Sequence, residues 1–117
     1  MKTLSWNESR SLKGAAIRAG KAPGVYLIGA IREKLGIPMS YEWVYVGRSN
    51  RLSRRLIEHL PENEANPFLQ LWIRDIGKEL VIRFALLPNT ETAIVEKALV
   101  RALTPQHNRI MFNTEEL

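Results

Sequence analysis

Cysteine is absent from the 117 residues. That removes a disulfide framework, a thiolate nucleophile and any zinc site built on sulfur, and it fits a reducing compartment. No apolar run approaches the roughly 18 residues of a membrane span. The opening Met-Lys-Thr-Leu-Ser-Trp-Asn-Glu lacks the apolar centre of a secretion signal. A cytoplasmic or nucleoid-associated chain, neither secreted nor membrane-bound, is the expectation. Acids are sparse where bases gather: residues 1–60 hold 11 Lys/Arg against 4 Asp/Glu, a net of +7. Residues 61–117 hold 6 against 8, a net of −2. Basic charge concentrated in one half points to a polyanionic partner. No internal repeat, low-complexity segment or linker divides the chain, and its length suits one core.

Residues 43–59 organise the rest. Trp43-Val44-Tyr45-Val46 favours a strand, because aromatic and β-branched side chains suit a half-buried pleated surface. Gly47 is read as a tight turn into a helix. Ser49 or Asn50 is expected to cap that helix. Leu52, Leu56 and Leu60 form an apolar stripe, and Arg51, Arg55 and His59 repeat at the same interval on another face. Arg48, Arg51, Arg54 and Arg55 crowd into about two turns with no acid until Glu58. Guanidinium forks beside a helix N-terminus suit phosphate. A solvated basic face accounts for the same pattern equally well.

Before this stretch, residues 1–22 read as a basic extension with a short helix. Ser9 or Ser11 caps it, Leu12, Ala15, Ala16 and Ala19 line it, and Gly20 ends it. Its mostly alanine apolar side suggests an appendage, and Arg10, Lys13, Arg18 and Lys21 suit contact with a nucleic-acid backbone or, equally well, a solvated helix face. Residues 24–31 read as a strand covered on both faces. Residues 32–41 read as an irregular link to an antiparallel partner over 42–46. After Pro61, Asn66-Pro67 starts a helix with Phe68, Leu71, Trp72 and Ile76 on its core face, ended by Gly77. Residues 79–87 alternate, with Leu80, Ile82, Phe84 and Leu86 on one face. A last helix spans about 91–103. The expected fold is α+β, a three-stranded antiparallel sheet flanked by helices. The order is helix, strand, strand, helix, helix, strand, helix.

The residues able to carry chemistry are Tyr26, Tyr45, Arg48, Arg55, His59, Glu96 and Asn108. Singly, each has an ordinary structural explanation: strand tyrosines, surface arginines, a solvated glutamate, a turn asparagine. As an ordered set they resemble the GIY-YIG nuclease family. Gly24-Val25-Tyr26 and Tyr45-Val46-Gly47 match the two strand signatures, with valine in place of isoleucine in each. Arg48 through Leu52, Arg55, Leu56 and His59 match the turn and helix that follow. Glu96-Lys97-Ala98-Leu99 through Leu103, Pro105 and Asn108 match the glutamate helix and closing asparagine. The resemblance covers roughly residues 23–110, leaving 1–22 as the extension and 111–117 as a tail. The link over 27–44 is longer than usual in the family.

This resemblance implies DNA phosphodiester hydrolysis with a single Mg²⁺ or Mn²⁺. Glu96 is the implied metal ligand and Tyr26 the general base. Arg55 holds the phosphate, and Tyr45 orients water or phosphate. Arg48 lowers a tyrosine pKa or contacts phosphate, His59 assists Tyr26 or binds backbone, and Asn108 braces the site. Arg48, Arg51, Arg54 and Arg55 are the implied DNA contacts, and Gly24 and Gly47 the structural turns. One carboxylate suffices for Mg²⁺ when water and substrate phosphate complete the shell. The implied partner is DNA, with pairing of two chains or a targeting protein as further options. Two rivals predict different behaviour: an inactive nucleic-acid-binding module binds DNA without cutting, and an adaptor domain binds a protein.

Overall fold

The computed structural model describes residues 4–105. In chain order the elements are β1 (Asn7–Ser9), α1 (Leu12–Ala19), β2 (Gly24–Lys34), β3 (Ile37–Ser49), α2 (Leu52–Glu58), α3 (Pro67–Ile76), β4 (Leu80–Leu86) and α4 (Asn89–Leu103). A single 3₁₀ turn, Gly77–Glu79, joins α3 to β4. The sheet is antiparallel with strand order β1-β4-β2-β3. It therefore has four strands, not three. The added β1 pairs Asn7, Glu8 and Ser9 with Phe84, Arg83 and Ile82. Three residues are too few to show alternation in sequence. The pairing is reinforced by the Glu8 carboxylate, which accepts from Arg83 at 2.9 Å.

The link over 32–41 is ladder, not irregular chain. Arg32 pairs with Ser40, Glu33 with Pro38 and Lys34 with Ile37. Leu35 (φ 54°) and Gly36 (φ 79°) make the reversal. Two successive positive-φ residues match the right-handed twist of a hairpin. Pro38 is tolerated because β3 is an edge strand.

Helix α1 starts where expected. Ser11 caps it by accepting from the Gly14 N–H at 3.0 Å, and Gly20 ends it. It is no appendage. Leu12, Ala15, Ala16 and Ala19 are buried in one core with Tyr26, Ile28, Tyr45, Leu52, Leu56 and Phe84. The alanines are what let the helix backbone lie close to the sheet and to α2. Two of the four basic residues assigned to the extension are held internally. Arg10 donates to Glu33 at 2.7 Å and to two backbone carbonyls, and Arg18 donates to the Glu8 carbonyl.

The cap of α2 also differs from expectation. Arg51 is the capping residue, and its N–H donates to the Ser49 hydroxyl at 2.9 Å. On α3 the Asn66 cap and Pro67 start hold, but the buried residues are Leu69 and Ile73, while Phe68 and Leu71 are exposed. The apolar stripe is broad enough to allow either face. Packing selects the i, i+3, i+4 set of Leu69, Trp72 and Ile73. β4 is central, so both its faces are covered: Val81 and Ala85 are buried as well as Ile82 and Phe84, and Leu86 is exposed. Among the described residues no helix is long and apolar enough to cross a membrane.

The sheet lies between two layers. Helices α1, α2 and α3 supply the core on one face. On the other, Val25 and Ala85 pack with Val95 of α4, joined by Leu4, Trp6, Leu87 and Leu99. This division decides which candidate residues meet.

Candidate active site

Strand alternation sends neighbouring side chains to opposite faces. Tyr26 and Tyr45 therefore enter the α1–α3 core, while Val25 enters the core under α4. Tyr26 is paired across the ladder with Gly47. A Cβ at position 47 would lie 2.3 Å from the phenol carbon and oxygen of Tyr26. Gly47 is thus needed inside β3, where the phenol lies over its backbone. Its expected role as a turn between strand and helix is not what the structure shows. Gly24, also expected as a turn residue, begins β2, and a Cβ there would collide with the Ala85 carbonyl at 2.2 Å.

The phenol of Tyr26 is fully buried and lies 2.6 Å from Nε2 of His59. His59, at the C-terminal end of α2, is itself fully buried. Its Nδ1 bonds the carboxylate of Glu64. The other Glu64 oxygen accepts the Asn66 N–H at 3.0 Å. The ring of Tyr45 lies edge-on to His59, with centroids 5.0 Å apart, and stacks on Tyr26 at 6.1 Å. Arg55 Nη2 lies 3.4 Å from the Tyr45 hydroxyl, and its Nη1 reaches Glu58 at 3.2 Å. Two tyrosines, a histidine and an arginine from three elements therefore form one constellation.

Its electrostatics follow from burial. Tyr26 is pushed well above the usual phenol value by burial and by the neighbouring Tyr45, with Arg55 opposing. Tyr45 rises for the same first reason, again against Arg55. Burial lowers the pKa of His59, although the Glu64 hydrogen bond pulls the other way. For Glu64, burial favours the neutral acid, but the His59 hydrogen bond and charge outweigh it and hold the group below the ordinary carboxylate range. Arg55 loses from burial but gains more from the two phenols, so it is firmly cationic.

Arg48 and Glu96 stand apart from this constellation. Arg48 pairs across the ladder with Val25, on the face covered by α4. Its Nε lies 3.4 Å from the Glu96 carboxylate. Burial raises the Glu96 pKa and Arg48 restrains the rise. Arg48 was expected to lower a tyrosine pKa or contact phosphate; here the cation acting on both phenols is Arg55. No direct bond joins Glu96 to the tyrosines, yet its charge helps raise both phenol pKa values. Asn108 lies outside the described residues.

The four arginines of the basic stretch differ in availability. Arg55 is engaged by Tyr45 and Glu58, and Arg48 by Glu96. Arg51 and Arg54 are exposed, Arg54 with Glu58 at 3.9 Å. No group of three or more His, Cys, Asp or Glu among the described residues could hold a metal. What Glu96 offers is one hard oxygen donor, 31% exposed. That donor set fits Mg²⁺ or Mn²⁺ completed by water and phosphate, and does not fit a closed nitrogen–sulfur zinc site.

Glu64 was missed from sequence. It lies in the irregular segment between α2 and α3, where no periodicity marks a residue as inward-facing. The available signal was faint: an acid five residues after a helical histidine and two before an Asn cap.

No family model and no curated protein matches the chain. Solved structures do match. The magnesium-bound GIY-YIG N-terminal endonuclease domain of UvrC from Thermotoga maritima superposes with a TM-score of 0.56 and 20% identity, over 82% of this chain and 93% of that one. A tyrosine-to-phenylalanine variant of the same domain, bound to its catalytic divalent cation, gives 0.57 and 21% over 82% and 92%. An asparagine-to-alanine variant gives 0.56 and 20% over the same shares. The strand–hairpin–helix frame that carries Tyr26, Tyr45 and Arg55, followed by a further helix that carries Glu96, is the GIY-YIG nuclease fold.

Proposed function

We propose that this chain is a divalent-metal-dependent endonuclease that hydrolyses DNA phosphodiester bonds. The observation that carries the reading is the meeting of Tyr26, Tyr45, Arg55 and His59 in one constellation on this fold. Arg55 would hold a non-bridging phosphate oxygen and offset the charge that grows there in the transition state. Tyr45, already beside Arg55, would orient the phosphate or the attacking water. Tyr26 would take a proton from that water, which must first gain access to a phenol that is buried in the free chain. A phenol raised by burial is a poor standing base, so the step needs somewhere for its own proton to go. His59 Nε2, 2.6 Å away, would be that acceptor. Glu96 would hold Mg²⁺ or Mn²⁺, which when bound stabilises charge on the scissile phosphate and leaving oxygen. Arg48, Arg51 and Arg54 would contact flanking phosphates, making binding strongly salt-dependent.

Supercoiled plasmid with and without Mg²⁺ or Mn²⁺ tests the reading. The expected result is metal-dependent conversion to nicked or linear product. Cutting retained by folded Glu96→Ala or Arg55→Ala protein would overturn the site assignment. Salt-sensitive binding without cutting would favour an inactive nucleic-acid-binding module. One site per chain means that cutting both strands takes two chains or two successive nicks. Product kinetics at different protein concentrations separate these.

A further inference from the structure

We infer that Glu64 is a positioning residue for the catalytic step, fixing His59 in the tautomer whose bare Nε2 receives the Tyr26 proton. The inference rests on the nuclease reading for its consequence, but its geometry stands without it.

An ionised carboxylate can only accept hydrogen bonds. One oxygen of Glu64 accepts the Asn66 N–H, and the other faces His59 Nδ1. The proton of a neutral imidazole must then sit on Nδ1, which leaves Nε2 as an acceptor. The only hydrogen available across the 2.6 Å gap to Tyr26 is the phenolic one. The chain of bonds therefore has one polarity: phenol donates to imidazole, and imidazole donates to carboxylate. The backbone bond from Asn66, next to the start of α3, anchors the carboxylate. The Glu64 side chain is only 4% exposed and His59 is fully buried, so water does not compete for either bond.

In the step itself the phenolic proton moves to His59 Nε2 while the phenol oxygen takes one proton from the attacking water. The hydroxide so formed adds to phosphorus as the bond from phosphorus to the leaving sugar oxygen breaks, and that oxygen takes its proton from solvent water. The phenol is regenerated in place, and His59 carries the extra proton as imidazolium. That cation is stabilised by the adjacent Glu64 carboxylate without transfer of the Nδ1 proton, the same division of labour as in a Ser-His-Asp triad. Charged and titratable groups acting on His59 are Glu64, Arg55 and Glu58, with Tyr26 and Tyr45 in ring contact.

The test begins with the full chain carrying His107→Gln, so that His59 is the one histidine left. Long-range proton–nitrogen correlation near neutral pH reads the tautomer directly. The expected result is Nδ1 protonated and Nε2 bare. A proton on Nε2 overturns the inference, and no variant of Glu64 is needed to see it. Glu64→Gln then removes the charge while keeping the shape. It is expected to shift His59 toward the Nε2–H form and to lower kcat about 10- to 100-fold with KM unchanged. The acid limb of its rate profile should move to lower pH, because the imidazolium has lost its counter-charge. A Glu64→Gln enzyme with wild-type kcat and pH profile overturns the catalytic role. If the wild-type chain cuts no DNA with any divalent cation, the nuclease reading and the catalytic role both fall. The tautomer measurement still decides whether Glu64 sets the polarity of the chain.

Discussion

The two faces of the sheet treat charge in opposite ways. Under α1–α3, Tyr26, His59 and Glu64 are linked in a buried chain, each polar atom answered by the next. Under α4, Arg48 and Glu96 form a pair that keeps 48% and 31% of its side-chain surface in solvent. A buried network is fixed before any substrate arrives, and losing one member strands the others. A half-exposed ion pair adds little to the fold, so exchange of Arg48 for another cation at Glu96 would cost little. On the proposed reading, activity and stability are separable on one face and tied together on the other.

Glu96→Ala tests the separable side and carries the largest expected effect on activity. If Glu96 is the sole protein ligand, its loss should remove several kcal/mol of transition-state stabilisation, about 10³-fold in rate. Unfolding free energy should change by less than about 1 kcal/mol. Plasmid nicking and denaturant unfolding measure the two; a large stability loss would show that Glu96 is structural and break the contrast. Tyr26→Phe tests the tied side. It should lower the rate about 10²-fold. It should also destabilise by about 1–3 kcal/mol, because His59 Nε2 is left buried without a partner. Gly47→Ala is expected to damage both properties without touching a polar group. Its Cβ would collide with the Tyr26 phenol, at a cost of about 1–3 kcal/mol for a crowded core.

What was legible in the sequence follows the same division. Features set by local pattern were readable: the apolar run of β2, the Ser11 and Asn66 caps, the leucines of α2 and the stop at Gly20. The constellation was readable only through ordered signatures, because Tyr26 and His59 are 33 residues apart and no periodicity joins them. Features set by tertiary context were not readable. β1 exists because β4 offers it an edge, and α1 belongs to the core because its alanines fit against the sheet. The face of α3 was ambiguous within a broad apolar stripe, and packing chose it. Gly47 was recognised as necessary for the wrong reason. Its constraint is the neighbouring phenol, which lies on another strand. Glu64 was invisible because its value comes from one contact made by an irregular segment.

pH sharpens the comparison further. Folding lowers the His59 pKa below its usual 6.5. Below about pH 6.5 the unfolded chain thus binds a proton that the folded chain refuses, and stability falls with pH until the folded pKa is passed. Glu64 is also lowered from 4.5. Its contribution is present above about pH 4.5 and is lost at lower pH as the folded pKa is passed. Both slopes have the same sign, but the His59 loss begins first. For one proton the slope is at most about 1.4 kcal/mol per pH unit. Denaturant unfolding between pH 7.5 and 4.5 should show this decline in a His107→Gln background. Adding His59→Gln should flatten it, and an unchanged slope would mean that another group is responsible.

The smallest expected effect is at Arg51 and Arg54, of which Arg54 makes one long ion pair, to Glu58 at 3.9 Å. Both are exposed. Arg51→Ala and Arg54→Ala should each leave stability within about 0.5 kcal/mol. If they contact DNA phosphates, each loss should reduce the slope of log binding constant against log salt by about one. Cleavage at saturating DNA should be unchanged, because neither side chain reaches Tyr26, His59 or Glu64. Arg55 provides the contrast within the same helix. It is held by Tyr45 and Glu58, so Arg55→Ala should lower turnover itself and not merely affinity. If Arg54→Ala lowers turnover as much as Arg55→Ala does, one basic face serves both roles, and the distinction between the proposed catalytic set and an open docking set fails on α2.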